Sequence, residues 1–210
     1  MTGPGLIETM RRRSGGKVDR LPLHLERLQG SAAALGIPCD RQELTAAIES
    51  LPSSDHEQRL RLELTPDGGL HVETHPCPAS DPDKIWRLAV ARTRLDSTEP
   101  LLRHKTTFRN IYVRARREFP TAEIDEILLR NERDELCEGT ITSLFLQMRE
   151  NEPLLTPALD CGLLRGVLRQ ELLDAGKARE AVLTLADLRA ADRIYVGNSL
   201  RGLMPAALRA

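Results

Sequence analysis

The sequence predicts a mixed α/β protein with two lobes, and three observations support that prediction. Apolar residues recur at spacings of four and three over residues 21–35, the stripe of an amphipathic helix. Residues 59–65 and 70–75 alternate apolar and polar side chains around a Pro-Asp-Gly-Gly turn, which is typical of a β-hairpin. All six aromatic residues lie from Trp86 onward, so the two parts of the chain differ in composition.

The smaller N-terminal α/β lobe is predicted over residues 1–94. It begins with a strand at 5–9, and Gly36 ends the first helix because glycine favours the position that follows a helix. The other elements predicted in this lobe are a turn at 14–16, a helix over 40–50, the hairpin and a strand at 85–91.

A connection over residues 95–104 leads to the larger C-terminal lobe, predicted over 105–210. Its first helix is predicted over 105–119, and GLLRGVLRQELLDAG is interpreted as a helix over 162–176. The remaining predicted elements are strands at 126–131, 143–149 and 153–157 and a closing strand, short helix and strand over 182–199.

Composition excludes several classes of protein. The 210 residues carry a net charge of −1, which argues against a nucleic-acid-binding protein of strongly basic charge. No apolar run reaches the about 18 residues that span a membrane, and the N-terminus lacks a signal peptide's apolar core. We therefore expect a cytoplasmic protein that binds neither nucleic acid nor membrane. No metal site is expected either, because Cys39, Cys77, Cys137 and Cys161 have no metal-ligand spacing.

One stretch is strongly basic despite the neutral total. Residues 84–117 contain ten Lys or Arg and only two acidic residues. A solvated face and an anion-binding site both explain this pattern. Lys105 lies within it, at the start of the predicted helix, where apolar neighbours and the helix dipole would favour a neutral, nucleophilic amine. A surface lysine is the alternative interpretation.

Six segments in one order resemble a known family. They are IETMR, LHLERLQGSAAALG, RHKTTFRNIY, NERDELCEGTITSLF, TPALDCGLLRGVLRQELL and NSLRGLMPA. Together they are similar to the fold-type IV pyridoxal-phosphate enzymes, which include class IV aminotransferases and 4-amino-4-deoxychorismate lyase. The resemblance runs from about Leu6 to Pro205 and implies a two-lobed fold of the D-amino-acid aminotransferase type. HKTT and NSLRG resemble most closely the lyase-like domains fused to some aminodeoxychorismate synthases.

The resemblance implies pyridoxal 5'-phosphate as the cofactor and assigns three principal residues. Lys105 would be the catalytic lysine that links covalently to the cofactor and moves a proton. Glu138 would face the pyridine nitrogen and keep it protonated, so that the ring accepts electrons. Arg27 would hold the phosphate, a contact suited to a guanidinium fork.

The remaining assignments concern the phosphate and the substrate. The resemblance places the amides of Val167 and Leu168 at the phosphate, with Thr142 and Ser143 near the phosphate or ring. It places three residues on the substrate side, namely Arg109, Asn198 and Ser199. Typical members carry a further strand pair before the segment that corresponds to IETMR, so substrate specificity is the part that transfers least.

Four functions are weighed. A lyase would release 4-aminobenzoate and pyruvate from 4-amino-4-deoxychorismate for folate synthesis, and an aminotransferase would act on a branched-chain or D-amino acid. A cofactor-binding protein without turnover and a basic interaction module without cofactor are the alternatives of other classes. The lyase is favoured on the resemblance of HKTT and NSLRG. The basic stretch would also suit a small anionic substrate with two carboxylates. The resemblance also implies a homodimer, in which residues 11–16 approach the partner's site.

Overall fold

The computed structural model describes residues 3–78, 81 and 83–209, which divide into two compact units. The first unit contains residues up to 80 together with 104–108, and the second contains 81–103 and 109–210. This division differs from the predicted boundaries at 94 and 105. Strand pairing explains both differences: residues 86–95 pair within the second unit, whereas 105–107 pair with residues 5–7 of the first.

The first unit is a three-stranded antiparallel sheet with two helices. Its strands lie in the order β1-β2-β3, and the apolar sides of β1, β2 and both helices form one core. The α1 helix ends at Leu35, and Gly36 follows it as predicted, in the left-handed conformation that glycine favours. Its elements are β1 (Leu6–Arg12), α1 (Leu21–Leu35), α2 (Arg41–Glu49), β2 (Gln58–Leu64) and β3 (Leu70–Pro76).

The second unit is built on an eight-stranded mixed sheet. The strand order is β10-β11-β4-β5-β6-β7-β8-β9, and β10 also pairs with β7, so six of the strands form a closed ring. Its elements are β4 (Trp86–Leu95), α3 (Asn110–Arg116), β5 (Glu126–Asn131), β6 (Leu136–Gly139), β7 (Ser143–Gln147), β8 (Leu154–Pro157), α4 (Val167–Asp174), β9 (Ala178–Ala181), α5 (Leu185–Ala190), β10 (Arg193–Asn198) and β11 (Gly202–Leu208).

Two predicted helices begin later than expected. The helix predicted over 105–119 is α3, which starts at Asn110, because the chain before it pairs with β1. The helix predicted over 162–176 is α4, which starts at Val167 after a loop. Among the described residues, no helix is both long and apolar enough to cross a membrane.

Three strands, β6, β9 and β11, were not predicted where they occur. The strand expected from residue 182 lies earlier in the chain, as β9, and ends at Ala181. All four residues of β6 are buried, so the strand shows no alternation. The strand β11 contains Pro205, which lacks the amide proton that strands use. Parallel pairing of β11 with β4 begins only at the next residue, Ala206. The sheet therefore accommodates the proline outside the parallel ladder.

Candidate functional site

Lys105 lies in an extended segment of the first unit rather than at a helix start. Its carbonyl oxygen accepts a hydrogen bond from the Ile7 amide at 2.8 Å, and Thr106 forms a β-bridge with Leu6. The predicted effect of a helix dipole on this lysine is therefore wrong. Strand β1 positions the lysine instead.

A second contact fixes the segment that carries Lys105. His104 Nδ1 lies 2.9 Å from Ser31 Oγ, and Ser31 is buried on α1. Burial lowers the pKa of His104, which favours the neutral ring. The lysine is thus attached to a segment held by both β1 and α1.

Arg27 belongs to a buried polar cluster in the same unit. Its Nε donates to Glu8 Oε1 at 2.8 Å and its terminal Nη2 donates to Glu8 Oε2 at 2.5 Å. His24 Nδ1 lies 2.6 Å from Glu8 Oε2, and both side chains are almost fully buried. The guanidinium is therefore held in a fixed orientation by a carboxylate.

The charge states of this cluster follow from burial and partners. Burial raises the pKa of Glu8, but the charges and hydrogen bonds of Arg27 and His24 outweigh it and lower the pKa to about 2. Burial lowers the pKa of His24, and the charges of Arg27 and Lys105 lower it further; together they outweigh Glu8, which raises it. Glu8 is thus ionised at neutral pH, and His24 is neutral and donates to it.

Glu138 lies in β6 of the second unit with 5% of its surface exposed. The hydroxyl of Tyr112 donates a hydrogen bond to Glu138 Oε1 at 2.7 Å. Burial and then the neighbouring carboxylate raise the pKa of Tyr112 far above its usual value, so the phenol remains protonated. Arg109 stacks over the Tyr112 ring at 4.3 Å and donates to the Thr140 carbonyl at 2.5 Å.

The loop after Glu138 is organised by Glu126, which is fully buried. Its carboxylate accepts from the Thr140 hydroxyl at 2.5 Å, the Ile141 amide at 3.1 Å and the Thr142 hydroxyl at 2.9 Å. A Cβ on Gly139 would lie 2.9 Å from the Glu126 side chain, so only glycine allows this approach. The Thr142 hydroxyl is therefore occupied within the protein.

Ser143 lies beside the first turn of α4. Among the described side chains none caps this helix, so Val167 and Leu168 present first-turn amides of the kind that bind anions. A Cβ on Gly166 would lie 2.5 Å from Ser143 Oγ. Glycine at 166 therefore allows a serine hydroxyl and two helix amides to lie together.

Asn198 and Ser199 form a tight turn after β10. Asn198 Oδ1 accepts from the Leu200 amide at 3.1 Å and the Arg201 amide at 3.0 Å, and its Nδ2 donates to the Ile141 carbonyl at 3.2 Å. Ser199 is buried in this turn. The turn is therefore joined to the loop that follows Glu138.

The basic stretch is largely neutralised within the second unit. Asp125 pairs with Lys84 at 2.7 Å and with Arg87 at 2.9 Å, and Arg103 lies 3.4 Å from Asp160. Glu118, Asp134 and Glu126 form ion pairs with further arginines of the stretch. The charge of this stretch therefore gives no separate argument for an anionic substrate, and that substrate stays a prediction.

The residues predicted from the family pattern lie in both units, and the side chains that hold them were not predicted. Arg27 and Lys105 lie together with Glu8 and His24 in the first unit. The second unit contains the remaining predicted residues, namely Arg109, Glu138, Thr142, Ser143, Val167, Leu168, Asn198 and Ser199. Glu8 carried a usable signal, because in an alternating strand it shares a face with apolar Leu6 and Met10.

Comparison with protein families gives one match over nearly the whole chain. The family described as amino-transferase class IV matches residues 5–208. A solved structure from Mesorhizobium loti, named “Putative amino-acid aminotransferase”, is 48% identical and superimposes with a TM-score of 0.91. That match covers 99% of this chain and 100% of the other.

Two further relatives carry different activities in their names. The structure of 4-amino-4-deoxychorismate lyase from Pseudomonas aeruginosa is 28% identical with a TM-score of 0.81, covering 97% of this chain and 82% of that one. A Thermotoga maritima protein named “Probable branched-chain-amino-acid aminotransferase” is 28% identical over 195 residues. That match covers 87% of this chain and 69% of the relative.

Proposed function

The chain belongs to the class IV aminotransferase family, and from that membership we propose that it is a lyase that converts 4-amino-4-deoxychorismate into 4-aminobenzoate and pyruvate. The family match confirms the resemblance predicted from sequence, and the structural match confirms the mixed α/β fold. The family depends on pyridoxal phosphate, so the predicted cofactor and the prediction of an enzyme are also confirmed.

The observation that carries the choice of a lyase is the turn at Asn198. NSLRG is one of the two motifs by which the chain resembles lyases rather than aminotransferases. Three hydrogen bonds of the Asn198 side chain fold this turn and join it to the Ile141 carbonyl. The lyase-like motif is therefore an ordered element beside the Glu138 loop, which supports a role on the substrate side for Asn198 and Ser199.

The donor groups fit the cofactor's chemistry. A primary amine suits its aldehyde, and an anchored guanidinium suits its phosphate. The amides of Val167 and Leu168 with the Ser143 hydroxyl form a cup for an anion, which glycine at 166 keeps open. Within the second unit we assign the phosphate to this cup, with Thr142 acting through the loop that it closes. Arg27 keeps the phosphate role that the family resemblance implies.

The ring is assigned to Glu138. A buried carboxylate held by Tyr112 can stabilise a protonated pyridine nitrogen. When bound, pyridoxal phosphate supplies an electron-accepting ring that stabilises negative charge on the substrate carbon that carries the amine.

Lys105 is assigned the proton transfers. Its Nζ takes the proton from the amine-bearing carbon of the substrate and gives a proton to the departing enolpyruvyl group. The carbon–oxygen bond of the ether breaks, the ring becomes aromatic and pyruvate leaves. The reaction needs no second substrate, whereas transamination needs a 2-oxo acid.

An aminotransferase is the second candidate, because the Mesorhizobium loti and Thermotoga maritima relatives carry that name. The two reactions share cofactor and lysine and differ in product. We therefore propose to supply 4-amino-4-deoxychorismate and to measure pyruvate through lactate dehydrogenase, with Lys105→Ala as the control. Transamination of leucine or D-alanine with 2-oxoglutarate, without pyruvate release, would identify an aminotransferase instead. Stable cofactor binding with neither reaction would favour a binding protein without turnover.

The proposal extends to assembly and location. We propose a homodimer in which residues 11–16 approach the partner's site, and a cytoplasmic role in folate synthesis, since 4-aminobenzoate is a folate precursor. Arg11 and Arg13 both bind Glu57, so the side chains beside this turn are held in an ordered arrangement. Light scattering during serial dilution tests the assembly. A monomer that keeps full activity would contradict it.

A further inference from the structure

The carboxylate of Glu138 is held by a side chain to which the reaction above gives no role of its own. Tyr112 on α3 donates its hydroxyl proton to Glu138 Oε1 at 2.7 Å, and both residues lie within the second unit. Because its pKa is raised by burial and by the carboxylate, Tyr112 remains a donor throughout the neutral range. A hydrogen bond to a carboxylate stabilises its ionised form.

Arg109 fixes the orientation of this tyrosine. Its guanidinium carbon lies 4.3 Å from the centre of the Tyr112 ring, and its Nη2 donates to the Thr140 carbonyl at 2.5 Å. A cation over the ring face attracts its electrons, which makes the hydroxyl a stronger donor. Thr140 follows Glu138 by two residues. Arg109 therefore contacts both partners of the Tyr112–Glu138 hydrogen bond, the tyrosine through its ring and the glutamate through the backbone next to it.

We infer that Tyr112, oriented by Arg109, is a positioning residue that keeps Glu138 ionised toward the ring nitrogen of the cofactor. The inference rests on the role proposed for Glu138. It also gives Arg109 a task within the protein, in place of the substrate contact that the resemblance implied. Tyr112 thus acts on the electron-accepting strength of the ring and not on the phosphate.

The experiment compares two probes by equilibrium dialysis. One is pyridoxal phosphate, and the other is its 1-deaza analogue, in which carbon replaces the ring nitrogen. The wild-type protein should prefer pyridoxal phosphate. Tyr112→Phe should reduce that preference about tenfold, the effect of a hydrogen bond to a charged group, and should leave affinity for the analogue unchanged.

Three variants make the result specific. Tyr195→Phe removes the hydroxyl of the chain's other tyrosine, which packs beside Phe145 in another part of the second unit, and should change neither affinity. In a Glu138→Gln background, Tyr112→Phe should add almost nothing, because the two groups act in series. Arg109→Lys should reduce the preference less than Tyr112→Phe does, and it provides a second test if Tyr112→Phe does not fold.

The outcomes separate this inference from the proposed function. Equal wild-type affinity for the two probes would overturn the role of Glu138 and with it the inference. A wild-type preference that survives Tyr112→Phe, or that falls additively in the double variant, would overturn the inference alone. Equal losses of affinity for both probes would show a purely structural tyrosine and would also overturn it.

Discussion

Replacing Glu8 by glutamine tests how the first unit holds Arg27. Glu8 is 1% exposed and accepts from Arg27 Nε at 2.8 Å and from His24 Nδ1 at 2.6 Å. Removing one partner of a buried ion pair costs about 3 to 5 kcal/mol. Glutamine keeps one acceptor oxygen, so the loss should lie at the lower end of this range. We therefore expect Glu8→Gln to lower the free energy of unfolding of the first unit by about 3 kcal/mol at pH 7.

The same pair predicts a pH dependence. The pKa of Glu8 falls from 4.5 to about 2 on folding, because Arg27 and His24 outweigh burial. A carboxyl group whose pKa is lowered stabilises the folded state above its unfolded pKa, and this stabilisation is lost as the pH falls. The difference between the two values corresponds to about 3 kcal/mol. The wild type and Glu8→Gln should therefore converge in stability between about pH 4.5 and pH 2.

The assay must report on the first unit. The only tryptophan, Trp86, lies in the second unit, so hydrogen exchange of β1 and α1 peptides measured by mass spectrometry is the suitable readout. Glu57→Gln is the matched control, since Glu57 accepts from two arginines at a more exposed position. Glu57→Gln should lower the free energy of unfolding of the first unit less than Glu8→Gln does. A loss in Glu8→Gln that stays constant from pH 7 to pH 2, or equals that of the control, would refute the reasoning.

Three further predictions concern the second unit and the lysine. Lys105→Ala should remain folded but lose covalent cofactor, as measured by borohydride reduction and peptide mapping; cofactor on another lysine would contradict the assignment. Gly166→Ala should lower the affinity for pyridoxal phosphate about tenfold, because the added Cβ would push Ser143 away from the α4 amides. The affinity for unphosphorylated pyridoxal should change little, and equal losses for both compounds would count against the cup. Glu126→Gln should destabilise the second unit by at least about 2 kcal/mol, because the donors of the loop after Glu138 lose a charged acceptor. Urea denaturation followed by Trp86 fluorescence measures this loss, and an unchanged midpoint would exclude a stabilising role for Glu126.

The sequence predicted elements whose signals are local. The α1 helix has a complete apolar stripe and a glycine end, and the β2–β3 hairpin has strict alternation around a turn. The start of α3 was misplaced because residues 105–107 pair with β1, which lies about one hundred residues earlier. No local pattern reports a pairing over that distance. The lobe boundaries shifted for the same reason.

The residues of the candidate site also fall into two groups: those that a family motif marks, and those whose contacts appear only in the folded structure. Glu138 was predicted because a family motif marks it, whereas Glu8 and Glu126 carry no such mark. Yet Glu8 alternates with Leu6 and Met10 on the buried face of β1, and a carboxylate on an apolar face requires a cationic partner. The next element of the chain, α1, supplies one in Arg27. A charged residue on the buried face of an alternating strand is thus a sequence signal for a buried cationic partner, here Arg27.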